Sequence, residues 1–177
     1  MSAVSLSPKS TAALLRPVLK SAFAGTKFSI TTSRGSMVSS VRVSWTDGPT
    51  VSEVEAFTGP FEMGRFDGMT DSYDYDARED RQLLVNGVHY EAGCRYVMTN
   101  RSISAELANK CIKLIAEYWG GVEAVPVAVA GYCGYKLEPE SMGRQPVRAD
   151  LDWQHNDWYT SIHRAASNPT EFTHETA

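Results

Sequence analysis

Two runs of strict alternation do most to limit what this chain can fold into. In residues 28–32, Phe28, Ile30 and Thr32 alternate with Ser29 and Thr31. In residues 41–45, Val41, Val43 and Trp45 alternate with Arg42 and Ser44. Successive side chains along a strand point to opposite faces, so both runs read as strands with one apolar side. The Gly/Ser stretch 33–36 supplies a turn, and the pair reads as a β-hairpin with Arg42 on its wet face. A sheet that is apolar on one face needs another layer to cover it.

Helix signals flank the hairpin. Ser7-Pro8 combines an N-cap with a proline at the first helical position. Leu14, Leu15, Val18, Leu19, Ala22 and Phe23 then form one apolar stripe, ended by Gly25. Pro17 inside the stripe predicts a kink or a later start. Asp47-Gly48-Pro49 is a turn. Thr50-x-x-Glu53 is a capping box opening a short helix with apolar Val51, Val54 and Phe57, stopped by Gly59-Pro60. Residues 61–80 have no clean period and read as an ordered loop with aromatic anchors.

Asn86-Gly87 within 83–90 marks a second hairpin, and 95–99 a further strand. Ser104 caps the clearest helix, with Leu107, Cys111, Leu114, Ile115 and Tyr118 on one side and Gly120-Gly121 after it. The valine-rich 125–129 reads as a strand, at an edge because of Pro126. From 137 onward regular structure thins to an irregular arm, with a short helix around 158–166 and a disordered tail from 167. The expected fold class is α+β, an antiparallel sheet of hairpins packed against two or three helices. Residues 7–136 form the expected single domain and 137–177 the arm.

Charge is distributed unevenly along this pattern. Residues 1–46 hold Lys9, Arg16, Lys20, Lys27, Arg34 and Arg42 and no acid, whereas residues 47–80 hold ten acids against Arg65 and Arg78. The net charge of −4 hides this segregation. The Ser-rich, acid-free start also has the composition of a mitochondrial transit peptide. It runs into strand-like sequence with no cleavage-like break, and is read as part of the fold. No apolar run approaches the ~20 residues that span a bilayer. Cys94, Cys111 and Cys133 are unclustered, which points to a reduced, cytoplasmic protein.

Four stretches resemble a known family. They are Leu15-Arg16 with Leu19-Lys20 and 23–30 (FAGTKFSI), Val43-Ser44-Trp45-Thr46-Asp47-Gly48-Pro49-Thr50, Phe66-Asp67-Gly68-Met69-Thr70-Asp71-Ser72-Tyr73, and Arg95-Tyr96-Val97 with Asn100-Arg101-Ser102-Ile103-Ser104. Together, over about residues 10–120, they look like the large polyvalent-protein-associated domain numbered twenty-nine in its series. Pro17 and Ala24 depart from that pattern. The resemblance implies a phage, plasmid or other mobile-element origin and carries over no active-site residues.

Neither a catalytic signature nor a cofactor motif stands out. His89, His155, His163 and His174 are scattered, Ser104 is explained as a cap, and no phosphate loop is present. The expected function is therefore non-enzymatic, with no cofactor. Arg16, Lys20, Lys27, Arg34 and Arg42 form the expected nucleic-acid-binding set, since a basic helix and hairpin can track a phosphate backbone. The alternative is an inhibitor that docks on a host defence or nucleic-acid-processing complex. It would use Asp67, Asp71, Asp74 and Asp76 together with Trp153, Trp158 and Tyr159, because aromatics among acids suit an interface. The same carboxylates suit a hard cation, but they lack calcium-loop spacing, so no metal is expected. No membrane partner is expected, and oligomeric state is left open.

Overall fold

The computed structural model describes residues 4–34, 39–67, 69–74, 82–85, 87–120, 122–148, 150–151 and 156–172. The chain divides into two compact units, Met1–Arg101 and Ser102–Ala177. Each has its own apolar core.

The first unit runs β1 (Val4–Ser5), α1 (Pro8–Ala22), β2 (Ser29–Arg34), β3 (Ser39–Thr46), α2 (Val51–Thr58), β4 (Arg65–Asp67), β5 (Ser72–Asp74), β6 (Gln82–Val85), β7 (Val88–Glu91) and β8 (Tyr96–Ser102). Ser7 caps α1 by accepting from the Ser10 amide, with Pro8 just inside. Pro17 does not move the start of α1. Only one intrahelical bond is lost at a proline, and Leu15 and Leu19 on either side of it are fully buried.

The predicted hairpin forms, with Ile30 opposite Val43 and Thr32 opposite Val41. β3 lies between β2 and β8. Val41 and Val43 are fully buried and Trp45 nearly so. Burial of each such valine contributes about 1.5–3 kcal/mol. They meet Leu15 and Leu19 from α1, Val54 from α2, and Phe61, Cys94 and Val97. The turn after β3 has Asp47 and Gly48 both at positive φ, 56° and 59°. It is held by the Trp45 indole donating to the Pro49 carbonyl and by Arg101 donating to the carbonyls of Asp47 and Gly48. The Thr50–Glu53 capping box is present at both ends of its reciprocal pair. Of the three apolar residues of α2, Val54 is buried while Val51 and Phe57 are largely exposed.

A second sheet joins β6 and β7 as the Asn86-Gly87 signal predicts, with β1 parallel to β7 on the other side. Gly87 takes φ 78°, which a Cβ would strain. The expected loop 61–80 is corrected in part: β4 and β5 pair antiparallel, with Phe66 opposite Tyr73. Strands of three residues are too short to display a period in sequence.

The second unit runs α3 (Ala105–Trp119), β9 (Val127–Gly131), β10 (Gly134–Glu138) and α4 (Trp158–Ser167), followed by a 3₁₀ turn, Pro169–Phe172. Ser104 caps α3 by accepting from the Leu107 amide, and Gly120 follows it at φ 56°. The buried residues of α3 are Ala108, Cys111, Ile112 and Ile115. The face is broader than the predicted stripe because α4 and β9 both pack on the helix, and Leu107, Leu114 and Tyr118 become its half-buried flanks. Pro126 sits just ahead of β9, consistent with the missing amide it would bring to a ladder.

The irregular arm is corrected. Leu137 lies in β10 and is fully buried, as are Trp158 and Ile162 of α4, and Phe172 nearly so. With Val147 and the α3 residues they make one core. The unit boundary accordingly falls after Arg101 and not at 136. Leu137, Val147 and Phe172 are separated by turns, so their common burial leaves no periodic trace. Among the described residues no helix is long and apolar enough to cross a membrane.

Candidate nucleic-acid interface

The β2–β3–β8 sheet has one covered and one uncovered side. Ile30, Val41, Val43, Trp45 and Val97 face the core. On the opposite side the register sets Ser29 against Ser44, Thr31 against Arg42 and Ser33 against Ser40. Tyr96, Met98 and Asn100 of β8 alternate with core-facing Val97; Tyr96 is half-buried, with the Arg95 guanidinium 5.6 Å from its ring centre, and the other two are exposed. Half-buried Phe28 and exposed Lys27 come just ahead of β2. Thr31, Thr32, Ser33, Ser40, Arg42 and Met98 line a shallow hollow of about 260 Å³. This side thus carries short hydroxyl side chains around Arg42 on the central strand and no carboxylate among its described residues.

The expected basic residues do not all meet. Arg42 belongs to this sheet face, and exposed Lys27 lies just ahead of β2. Arg16 lies on α1, and its guanidinium donates to the Ile30 carbonyl, which closes part of the free edge of β2. Lys20 is exposed on α1, the helix that packs against β2 and β3. Arg34 ends β2 opposite Ser39; its side chain lies outside the described residues. The opposite edge carries acids: Glu62 accepts from the Val97 amide and Glu55 from the Thr99 hydroxyl. The sheet is therefore electrostatically lopsided across its width.

Pairing separates the two units. In Ser102–Ala177 every basic residue except Arg144 lies near a carboxylate: Lys110 with Glu106, Lys113 with Glu117, Lys136 with Glu138, Arg148 with Asp150, and Arg164 with Glu171. Among the described residues of the first unit, Lys9, Lys20, Lys27 and Arg42 make no hydrogen bond or ion pair, whereas Arg16, Arg95 and Arg101 are engaged. Arg148 also donates to the Trp119 carbonyl at the end of α3 and lies 5.9 Å from the centre of that indole. The bidentate bond to Arg148 holds the Asp150 carboxyl below its ordinary pKa.

Of the expected partner-binding set, the side chains of Asp71, Trp158 and Tyr159 fall among the described residues. Asp71 is exposed in the β4–β5 turn at φ 48°. Asp67 and Asp74 hold backbone places in β4 and β5, and their side chains lie outside the described residues, as do Asp76 and Trp153 altogether. Trp158 is corrected: it is fully buried in the second core and has no surface to offer a partner. Tyr159 packs on Tyr135, with ring centres 5.9 Å apart. Burial, then the neighbouring Tyr159, Cys111 and Asp157, push the Tyr135 phenol well above its ordinary pKa. Asp157 caps α4, a role the Trp/Asp composition had masked. Among the described residues no group of three or more His, Cys, Asp or Glu is placed to hold a metal ion.

Residues 6–104 match the model of large polyvalent protein associated domain 29, more than half of the chain. The protein belongs to that family. Its matched segment ends within three residues of the first unit's boundary, so the family module and the unit bearing the open sheet face are essentially the same object. The match is shorter at its C-terminal end than the sequence resemblance suggested, leaving all of α3 outside it. No curated protein and no solved structure matches the chain.

Proposed function

We propose that this family member binds nucleic acid without chemically altering it, as an accessory factor of a phage or mobile element. The contact surface is the open face of the β2–β3–β8 sheet, centred on Arg42, with Lys27 just ahead of β2. Support comes above all from Lys9, Lys20, Lys27 and Arg42, which pair with no described residue, set against the nearly complete pairing of cations in the second unit. Exposed ion pairs are worth only ~0–1 kcal/mol to a fold, so leaving cations unpaired costs the fold little and keeps their field available to a polyanion. The host cytoplasm is where such a ligand is met. The competing reading, an inhibitor docking through acids and aromatics, has lost Trp158 to the core and keeps Asp71 as its exposed described residue.

The test is anisotropy titration of labelled duplex DNA, single-stranded DNA and RNA at ~50 and ~200 mM salt, the interval in which phosphate contacts lose orders of magnitude of affinity. Binding that falls steeply with salt and is lost in Arg42→Glu, but not in Asp71→Asn, is the expected result. No binding at the lower salt overturns the proposal.

A further inference from the structure

We infer that the free edge of β2 receives an extended, acidic segment of a partner protein, which pairs with it as an additional strand. The inference does not rest on the nucleic-acid reading. β2 is the end strand of its sheet, with β3 on its inner side. The direction of its backbone groups follows from β3. The Ser39 carbonyl accepts from the Arg95 amide, on the side of β8. Hydrogen-bonding direction alternates along a strand, so Val41 and Val43 also turn towards β8. Their partners Thr32 and Ile30 therefore turn their amides and carbonyls away from β3. The Arg16 guanidinium donates to the Ile30 carbonyl at 3.1 Å, as an outward-facing carbonyl allows. Among the described residues, nothing bonds the amide or carbonyl of Thr32.

Such an edge is a template for another chain, and proteins ordinarily blunt it with proline, charge or brevity. β2 is six residues long, and residues 29–33 carry neither proline nor charge. Thr31, Thr32 and Ser33 are exposed. The same three residues line the hollow of about 260 Å³ together with Ser40, Arg42 and Met98, which joins the edge to Arg42. Strand addition takes affinity from main-chain bonds and specificity from pockets for alternate side chains, and Arg42 is the charged group of this pocket. Charge decides the occupant. Lys20 on α1, Lys27 ahead of β2 and Arg42 make no ion pair among the described residues, Arg16 stands at the edge, and residues 1–46 hold no acid. A second copy would bring the same cations to its two-fold mate, and like charges across a strand pair are destabilising. A strand bearing glutamate or aspartate meets the opposite charge.

The probe is a fluorescein-labelled peptide of about seven alternating valine and glutamate residues, an ordinary strand length, titrated by anisotropy at ~50 mM salt. Binding is expected. It should be about tenfold or more weaker in Thr32→Pro, and also for the same peptide N-methylated along both edges, as the loss of one or two main-chain hydrogen bonds implies. Thr32→Pro removes an outward N–H and no ladder bond, and its folding is checked by circular dichroism. The N-methylated peptide keeps its charge and is tested on the unaltered protein. Lysine in place of glutamate in the peptide should abolish binding. Equal binding of the N-methylated peptide overturns the inference by reducing it to charge alone. Equal binding of the lysine peptide, or no binding of the glutamate peptide, also overturns it. So does a dimer seen by light scattering and lost in Thr32→Pro, which gives the edge to a second copy. None of these outcomes touches the oligonucleotide test above.

Discussion

Cys94, Cys111 and Cys133 show how far neighbours decide a residue's behaviour. Cys94 is buried against Thr11, and burial pushes its thiol above the ordinary pKa, with Thr11 opposing and Glu62 adding to the rise. Cys111 is buried on α3, and Cys133 is exposed in the β9–β10 turn. Thiolate formation and access control alkylation, so iodoacetamide should label Cys133 alone in the native protein and all three after urea, read by intact mass. Native labelling of Cys94 would contradict the packing of α1 on its sheet. Glu53 is the second residue-scale case. Its bonds from the Thr50 amide and hydroxyl hold its pKa below the ordinary 4.5. A depressed carboxylate pKa means stability that is present above the unfolded-state value and lost as pH falls through the folded-state value. The urea midpoint of Glu53→Gln should therefore lie below that of the unaltered protein at neutral pH and converge with it in acid.

At the scale of elements, the ends and edges are what individual side chains hold. Thr50→Ala removes the hydroxyl that accepts from the Glu53 amide and should cost about 1 kcal/mol by denaturant titration. Asn109 does for β9 what a neighbouring strand would do: its amide accepts from the Ala128 N–H at 2.9 Å and donates to the Ala128 carbonyl at 2.7 Å. β9 pairs only with β10, and an open strand edge invites association. Asn109→Ala should lose about 1–3 kcal/mol for the two bonds and increase concentration-dependent light scattering. Capping boxes, the Asn-Gly hairpin and the alternating β2–β3 pair were legible beforehand because each is written in residues a few places apart. Asn109 was not legible, since its partner lies nineteen positions on and nothing local marks the amide as a substitute strand.

Across the whole molecule, two cores carry two kinds of information. The first belongs to the matched family module. The second gathers Ile103, Leu137, Val147, Trp158, Ile162 and Phe172 from segments spread over seventy positions of the chain. Trp158→Ala should cost about 3–5 kcal/mol, as for other buried aromatics, seen as an earlier urea transition. A surface docking residue would leave that transition in place, so the experiment separates the corrected role of Trp158 from the one its composition suggested.

The sequence by itself determined the helix starts at Ser7, Thr50 and Ser104, the β2–β3 and β6–β7 hairpins, the family, and the segregation of charge along the chain. Caps, turns and short periods act over a few residues, and a family motif survives as a linear string. Tertiary structure alone decided that Arg42 stands on the exposed side of its sheet while Arg16 closes a strand edge. It alone decided that Lys110, Lys113, Lys136, Arg148 and Arg164 of the second unit lie beside carboxylates, and that Trp158 lies in a core. Such outcomes depend on which surfaces exclude water together. That is settled by segments far apart in the chain, whose mutual burial has no local signature.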